Sequence, residues 1–153
     1  MDEGRLVLRK NTVLNILSFG FSKLMGDEDF SKLTIVADES YGTVERDWVM
    51  AGITTDPVLS PDHYVNDVFD CDDYVLYLKT KMSLYAQANK LKTPLAVGFI
   101  MTKRHAFNFC IDQKRDIHII NTQSGDKAST SDPNTFAAFL NLTGSNSIQI
   151  IYI

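Results

Sequence analysis

Between Leu95 and Gln123 the chain carries three strand-like segments: Leu95 to Thr102, His105 to Asp112 and Asp116 to Gln123. Only Lys103-Arg104 and Gln113 to Arg115 separate them. Turns this short join antiparallel neighbours, because a parallel crossover needs about a dozen residues or more. Just upstream, Asp72 to Asn89 reads as the longest helix. Tyr74, Leu78, Met82 and Tyr85 share one stripe, Val75 lies beside it, and Pro94 stops any continuation. A one-sided helix beside a run of hairpins is an α+β arrangement, with the long helix packed on an antiparallel sheet.

The flanks are less regular. Asn11 caps a first helix with Val13, Leu14, Leu17, Phe21 and Leu24 at helical spacing, closed by Gly26. Lys32 to Ala37 reads as a short strand and Thr43 to Ala51 as a helix ended by Gly52. Thr54 to Pro61 reads as a loop, and His63 to Asp70 as irregular and aromatic. Asp132 caps a helix with Pro133 at its first position; it runs to about Leu142, with Gly144 beyond, and Ser147 to Ile153 is a last strand. Neither repeats nor a long linker divide the chain. Its 153 residues read as one domain, 1–153, long enough to bury a core without staples.

A formal charge of −4 argues against nucleic-acid partners and against attraction to anionic membranes. The longest strongly apolar run, Leu95 to Met101, is far short of the roughly 20 residues of a membrane helix. The acidic start Met1-Asp2-Glu3-Gly4 lacks a signal-peptide core. A cytoplasmic or virion-associated setting is the expectation.

The reactive inventory is Cys71, Cys110, His63, His105 and His118. It supports neither a disulfide scaffold nor a zinc spacing. Cys71 opens the long helix, where free N–H groups and the helix dipole favour a thiolate, while Asp70, Asp72 and Asp73 oppose it. The alternative is a buried small residue beside a cap. Strand alternation puts His105 with Phe107, Phe109 and Ile111, and Cys110 on the other face. Cys71 is therefore the better partner for His105. Asn121 and Gln123 end the next strand, within reach of His105 if the two strands pair. Thiol, imidazole and orienting amide form the general nucleophile triad. The alternative is that both amides serve the Ser124-Gly125-Asp126 turn. His63 and His118 have no evident partner and read as surface or structural residues. Asp67, Asp70, Asp72 and Asp73 form a carboxylate cluster that either ligates a hard cation or is a solvated helix start.

Asp70-Cys71-Asp72-Asp73-Tyr74, then Arg104-His105-Ala106-Phe107-Asn108, then Ile120-Asn121-Thr122-Gln123-Ser124 resemble the papain-like and transglutaminase-like cysteine peptidase superfamily. Within it, the chain is similar to the C-terminal protease domain of the fairy-ring mushroom agglutinin. The resemblance covers roughly residues 64–126. It implies a papain-like fold and a cysteine hydrolase working through a thioester. Cys71 would be the nucleophile, His105 the general base and Asn121 its orienting group. Asn66 would be an oxyanion donor beside the Cys71 N–H, with Gln123 in support. Asp72 and Asp73 would be calcium ligands. The third motif departs from the agglutinin pattern, with Asn121-Thr122 where an acidic residue and proline are usual, and this weakens the metal more than the triad. The implied substrate is a polypeptide, or peptidoglycan for an amidase. Two other expectations are a catalytically silent copy of the fold acting as a phage or virion binding component, and an oligomer.

Overall fold

The structure, a computed structural model, describes residues 4–25, 30–142 and 148–153. The expected stops at Gly26 and Gly144, the start of the last strand at Ser147, and Met1 to Glu3 lie outside the described residues.

The chain opens with β1 (Val7–Arg9) and α1 (Lys10–Met25). A 3-10 turn, Phe30–Leu33, leads into β2 (Thr34–Ile35). Then come β3 (Ser40–Gly42), α2 (Arg46–Thr54) and α3 (Cys71–Ala88). The hairpin run follows as β4 (Val97–Thr102), β5 (Ala106–Ile111), β6 (Ile117–Ile120) and β7 (Lys127–Ser129). The chain closes with α4 (Pro133–Leu142) and β8 (Ile148–Tyr152). β1 and β3 form a small antiparallel pair, and the main sheet has six strands in the order β2-β8-β4-β5-β6-β7.

The hairpin run forms as its short turns require, but the sheet is mixed. β4, β5, β6 and β7 pair antiparallel in sequence, β8 inserts antiparallel to β4, and β2 lies parallel to β8. The expected architecture, a papain-like helix on an antiparallel sheet, is therefore corrected to a mixed six-stranded sheet. The parallel pair joins segments far apart in sequence, so no local turn announces it.

Two smaller expectations change for local reasons. Thr43 and Val44 do not start a helix. Their N–H groups go to the carbonyls of Leu6 and Ile111, which prolongs the extended backbone after β3. The helix starts at Arg46 and runs through Gly52. Of the expected strand Lys32 to Ala37, only Thr34–Ile35 is strand, because the residues before it curl into the 3-10 turn.

Alternation along β5 separates two cores. Phe107, Phe109 and Ile111 pack with Val13, Leu17 and Phe21 of α1 and with Phe136 of α4. Cys110 points the other way, to Val49 of α2 and to Tyr74, Leu78 and Met82 of α3. Each fully buried side chain of this kind contributes roughly 1.5–3 kcal/mol. Asn108 is the polar exception, fully buried between these layers. Its amide donates to the Val75 carbonyl at 3.0 Å and the Gly98 carbonyl at 3.1 Å, and its oxygen accepts from the Thr122 hydroxyl. It thus ties α3, β4 and the segment after β6 together, and fixes where the start of α3 meets the start of β5.

Candidate functional site

α3 begins at Cys71 because Asp70 caps it. The Asp72 N–H donates to the Asp70 carboxylate, and the Asp70 N–H donates to Asp73 Oδ2 at 3.2 Å. Cys71 is half-buried and packs beside Val75, Phe99 and Ala106. Its sulfur accepts from the Ala106 N–H. Burial is the largest influence on this thiol and raises its pKa, Asp70 and Asp72 add to the rise, and the Ala106 N–H opposes it. The competition between helix start and carboxylates thus ends in favour of the neutral thiol.

His105 is placed by the β4–β5 turn. The Thr102 hydroxyl accepts from the N–H groups of Arg104 and His105 and donates to the His105 carbonyl at 2.9 Å. The imidazole meets the Phe107 ring edge-on at 4.7 Å and hydrogen-bonds the Asn121 side chain. Burial lowers its pKa, and the Asn121 contact partly offsets this. The structure therefore brings Asn121 to His105, and brings the Cys71 sulfur to the peptide N–H joining His105 to Ala106. In the resting molecule burial favours the uncharged form of both groups.

The other predicted residues fall elsewhere. Asn66 sits exposed in the turn closed by Val65 and Phe69, its amide donating to Asp67 Oδ2 at 3.0 Å. Gln123 lies past the end of β6, half-buried, with no hydrogen-bond partner among the described residues. Asp73 is engaged by the Asp70 N–H. Among the described residues the group that could hold a cation is Asp70, Cys71 and Asp72, with donor atoms within 4.8 Å of one another. Calcium takes 6–8 oxygen ligands. This group offers two carboxylates and a thiol, and Asp73, the other expected calcium ligand, stands outside it.

Of the two readings of His118, surface or structural, the structure supports the structural one and supplies a partner. The histidine is buried, and its Nε2 lies 2.8 Å from Asp112 Oδ2. His63 is exposed, in the 3-10 turn Pro61–His63. Cys110 is fully buried, and burial raises its pKa strongly.

No family model matches the chain, and no curated protein does. Solved structures do match. One is a PSL1a–E64 complex, with TM-score 0.71 and 17% identity over 97% of this chain and 50% of that one. Another is Polyporus squamosus lectin bound to the human-type influenza-binding epitope Neu5Acα2-6Galβ1-4GlcNAc, with TM-score 0.63 and 14% identity over 97% of this chain and 50% of that one. The fold is that of about half a lectin chain.

This corrects the family resemblance: the solved structures that the fold matches are those of a lectin, and the papain-like assignment is withdrawn. The readings carried by that resemblance go with it. They are the cysteine hydrolase, the amidase, the phage or virion component, and the polypeptide or peptidoglycan partner. The motifs that suggested it have local explanations. Asp70 to Asp73 build a helix cap, and Thr102 to His105 build a hairpin turn, structures that any α+β chain can use.

Proposed function

We propose that this chain is a ligand-binding domain whose seat lies at the sheet end where α3 meets β5. The observation that supports it is two polar contacts at neighbouring residues where β5 begins: the Cys71 thiol on the Ala106 N–H from the α3 side, and the His105 imidazole on the Asn121 amide. Of the two cysteines, Cys71 is half-buried and Cys110 buried. The two lectin structures with this fold are both ligand complexes, one with E64 and one with a sialylated trisaccharide.

The test uses the full chain in mildly alkaline buffer. Iodoacetamide, whose iodide leaves as the thiolate forms an S–C bond, should modify Cys71 and leave Cys110 untouched in peptide mass mapping. Prior incubation with E64 should protect Cys71. Equal modification of both cysteines, or no protection by E64, removes the thiol seat. Protection by the trisaccharide instead of E64 makes the seat a glycan site.

A further inference from the structure

A second feature lies beside that seat. A cleft of about 420 Å³ opens between the segment 53–61 and the turn 122–125. This is within the roughly 300–1,000 Å³ of small-molecule sites. It adjoins the seat through covalent and hydrogen-bonded links. Asn121, on His105, runs directly into the Thr122 wall. Tyr74, in the first turn of α3, donates its hydroxyl to the Ser60 carbonyl of the other wall at 2.6 Å.

The chemistry of the lining is restrictive. Ile53 and Leu59 give an apolar floor, 5% and 2% exposed. Asp56 is the only ionisable side chain in the lining, and it is already satisfied. Lys81 Nζ lies at 2.5 Å, Tyr77 Oη at 3.2 Å, and the Val58 N–H donates at 2.9 Å. An ion entering the cleft would lose water and meet no free countercharge. The remaining polar groups are neutral; the Thr122 and Ser124 hydroxyls are committed to Asn108 and Asp126, and the others keep hydrogen-bonding capacity. The Ser60 hydroxyl accepts from the Asp62 N–H and keeps its own proton to donate. The Thr54 and Thr55 hydroxyls donate to the Ala51 carbonyl and keep lone pairs to accept. Gln123 has no partner among the described residues, so its side chain can either accept from the N–H of a secondary amide or donate to its carbonyl. Hydroxyl-matching groups around an apolar floor, with one amide reader, describe a sugar ring carrying an acylamino substituent.

We propose that the cleft binds a neutral acetamido sugar, with Gln123 reading the amide and Ile53 and Leu59 taking the apolar face of the ring. The proposal deepens the ligand-binding reading and rests on it.

The experiment titrates the isotope-labelled full chain with N-acetylglucosamine, glucose and glucosamine, and follows backbone amide signals. N-acetylglucosamine should shift residues 54–55 and 122–125 saturably. Glucose, lacking the amide, and glucosamine, carrying a charge, should bind at least roughly tenfold more weakly. Gln123→Ala should weaken N-acetylglucosamine by a similar factor, while Gln123→Asn, which keeps the amide, recovers part of it. Shifts that are absent, equal for the three sugars, or unaltered in Gln123→Ala overturn the proposal. Cys71 protected by E64 without sugar shifts removes the cleft and leaves the thiol seat. Sugar shifts with an unreactive Cys71 remove the thiol seat and leave the cleft.

Discussion

At Cys71 burial and two carboxylates act in one direction and a backbone N–H in the other. The thiolate is the reactive form, so a raised pKa moves alkylation to higher pH. The iodoacetamide rate at Cys71 should rise through a midpoint above the ordinary 9.0 of a thiol. Asp72→Asn removes one of the charges opposing the thiolate, so its midpoint should fall below that of the parent chain, most clearly at low salt. A parent midpoint below 9.0, or no displacement in Asp72→Asn, contradicts the balance described here. The sequence shows both contestants, since helix start and aspartates are adjacent letters. It does not show the burial that decides between them, because that comes from Phe99 and Ala106 of the sheet. The partner of His118 is hidden from the sequence for the same reason. That partner, Asp112, precedes it by six residues across a hairpin, and the pair meets only once β5 and β6 take the register Cys110 opposite His118.

The elements are legible where their signals are local. α3, the hairpin run and α4 follow from apolar period, short turns and Pro133. β1, β3 and β7 span three residues each, too few for any period to show. What joins α3 to the cleft wall is also non-local. Asp56 accepts from Lys81 and Tyr77 of α3, and Lys81 also donates to the Gly52 carbonyl at the end of α2. Burial pushes the Asp56 carboxyl up, but Lys81, the Val58 N–H and Tyr77 together hold it below its ordinary 3.8. A depressed carboxyl contributes stability that is present above its unfolded pKa and lost as pH falls through its folded one. Lys81→Met keeps the aliphatic stem and leaves Asp56, 7% exposed, without its cation. The expected loss is about 2 kcal/mol by urea unfolding near neutral pH. It falls below the full penalty for a broken buried pair because Lys81 is itself 34% exposed. The deficit should shrink in acid, as Asp56 protonates in both proteins. A loss that does not depend on pH would assign the effect to packing of the lysine stem instead.

At the scale of the molecule, the sheet is a wall between two cores, and its closure depends on one glycine. Gly98 pairs with Phe109 across β4 and β5. A Cβ there would meet the Tyr152 carbonyl oxygen at 2.2 Å and Phe109 ring carbons at 2.5 and 2.7 Å. Backbone of β8 lies on one side and a fully buried ring on the other, so neither neighbour can yield cheaply. Nothing in the sequence marks this glycine, since the β8 insertion beside β4 joins the end of the chain to its middle. The contrast is Gly52 in α2, which reads from sequence as a helix stop. A Cβ there would meet only the tip of Met82, at 3.4 Å. Gly98→Ala should cost about 3 kcal/mol or more by overpacking. At this chain length that lowers the melting temperature by roughly 6–12 °C. Gly52→Ala should instead raise stability by up to about 1 kcal/mol, because alanine loses less backbone freedom in a helix. Calorimetry of the two variants separates the cases. Similar melting temperatures for both would mean that β8 does not press on β4 at Gly98, and the two cores would then share a looser wall than the register requires.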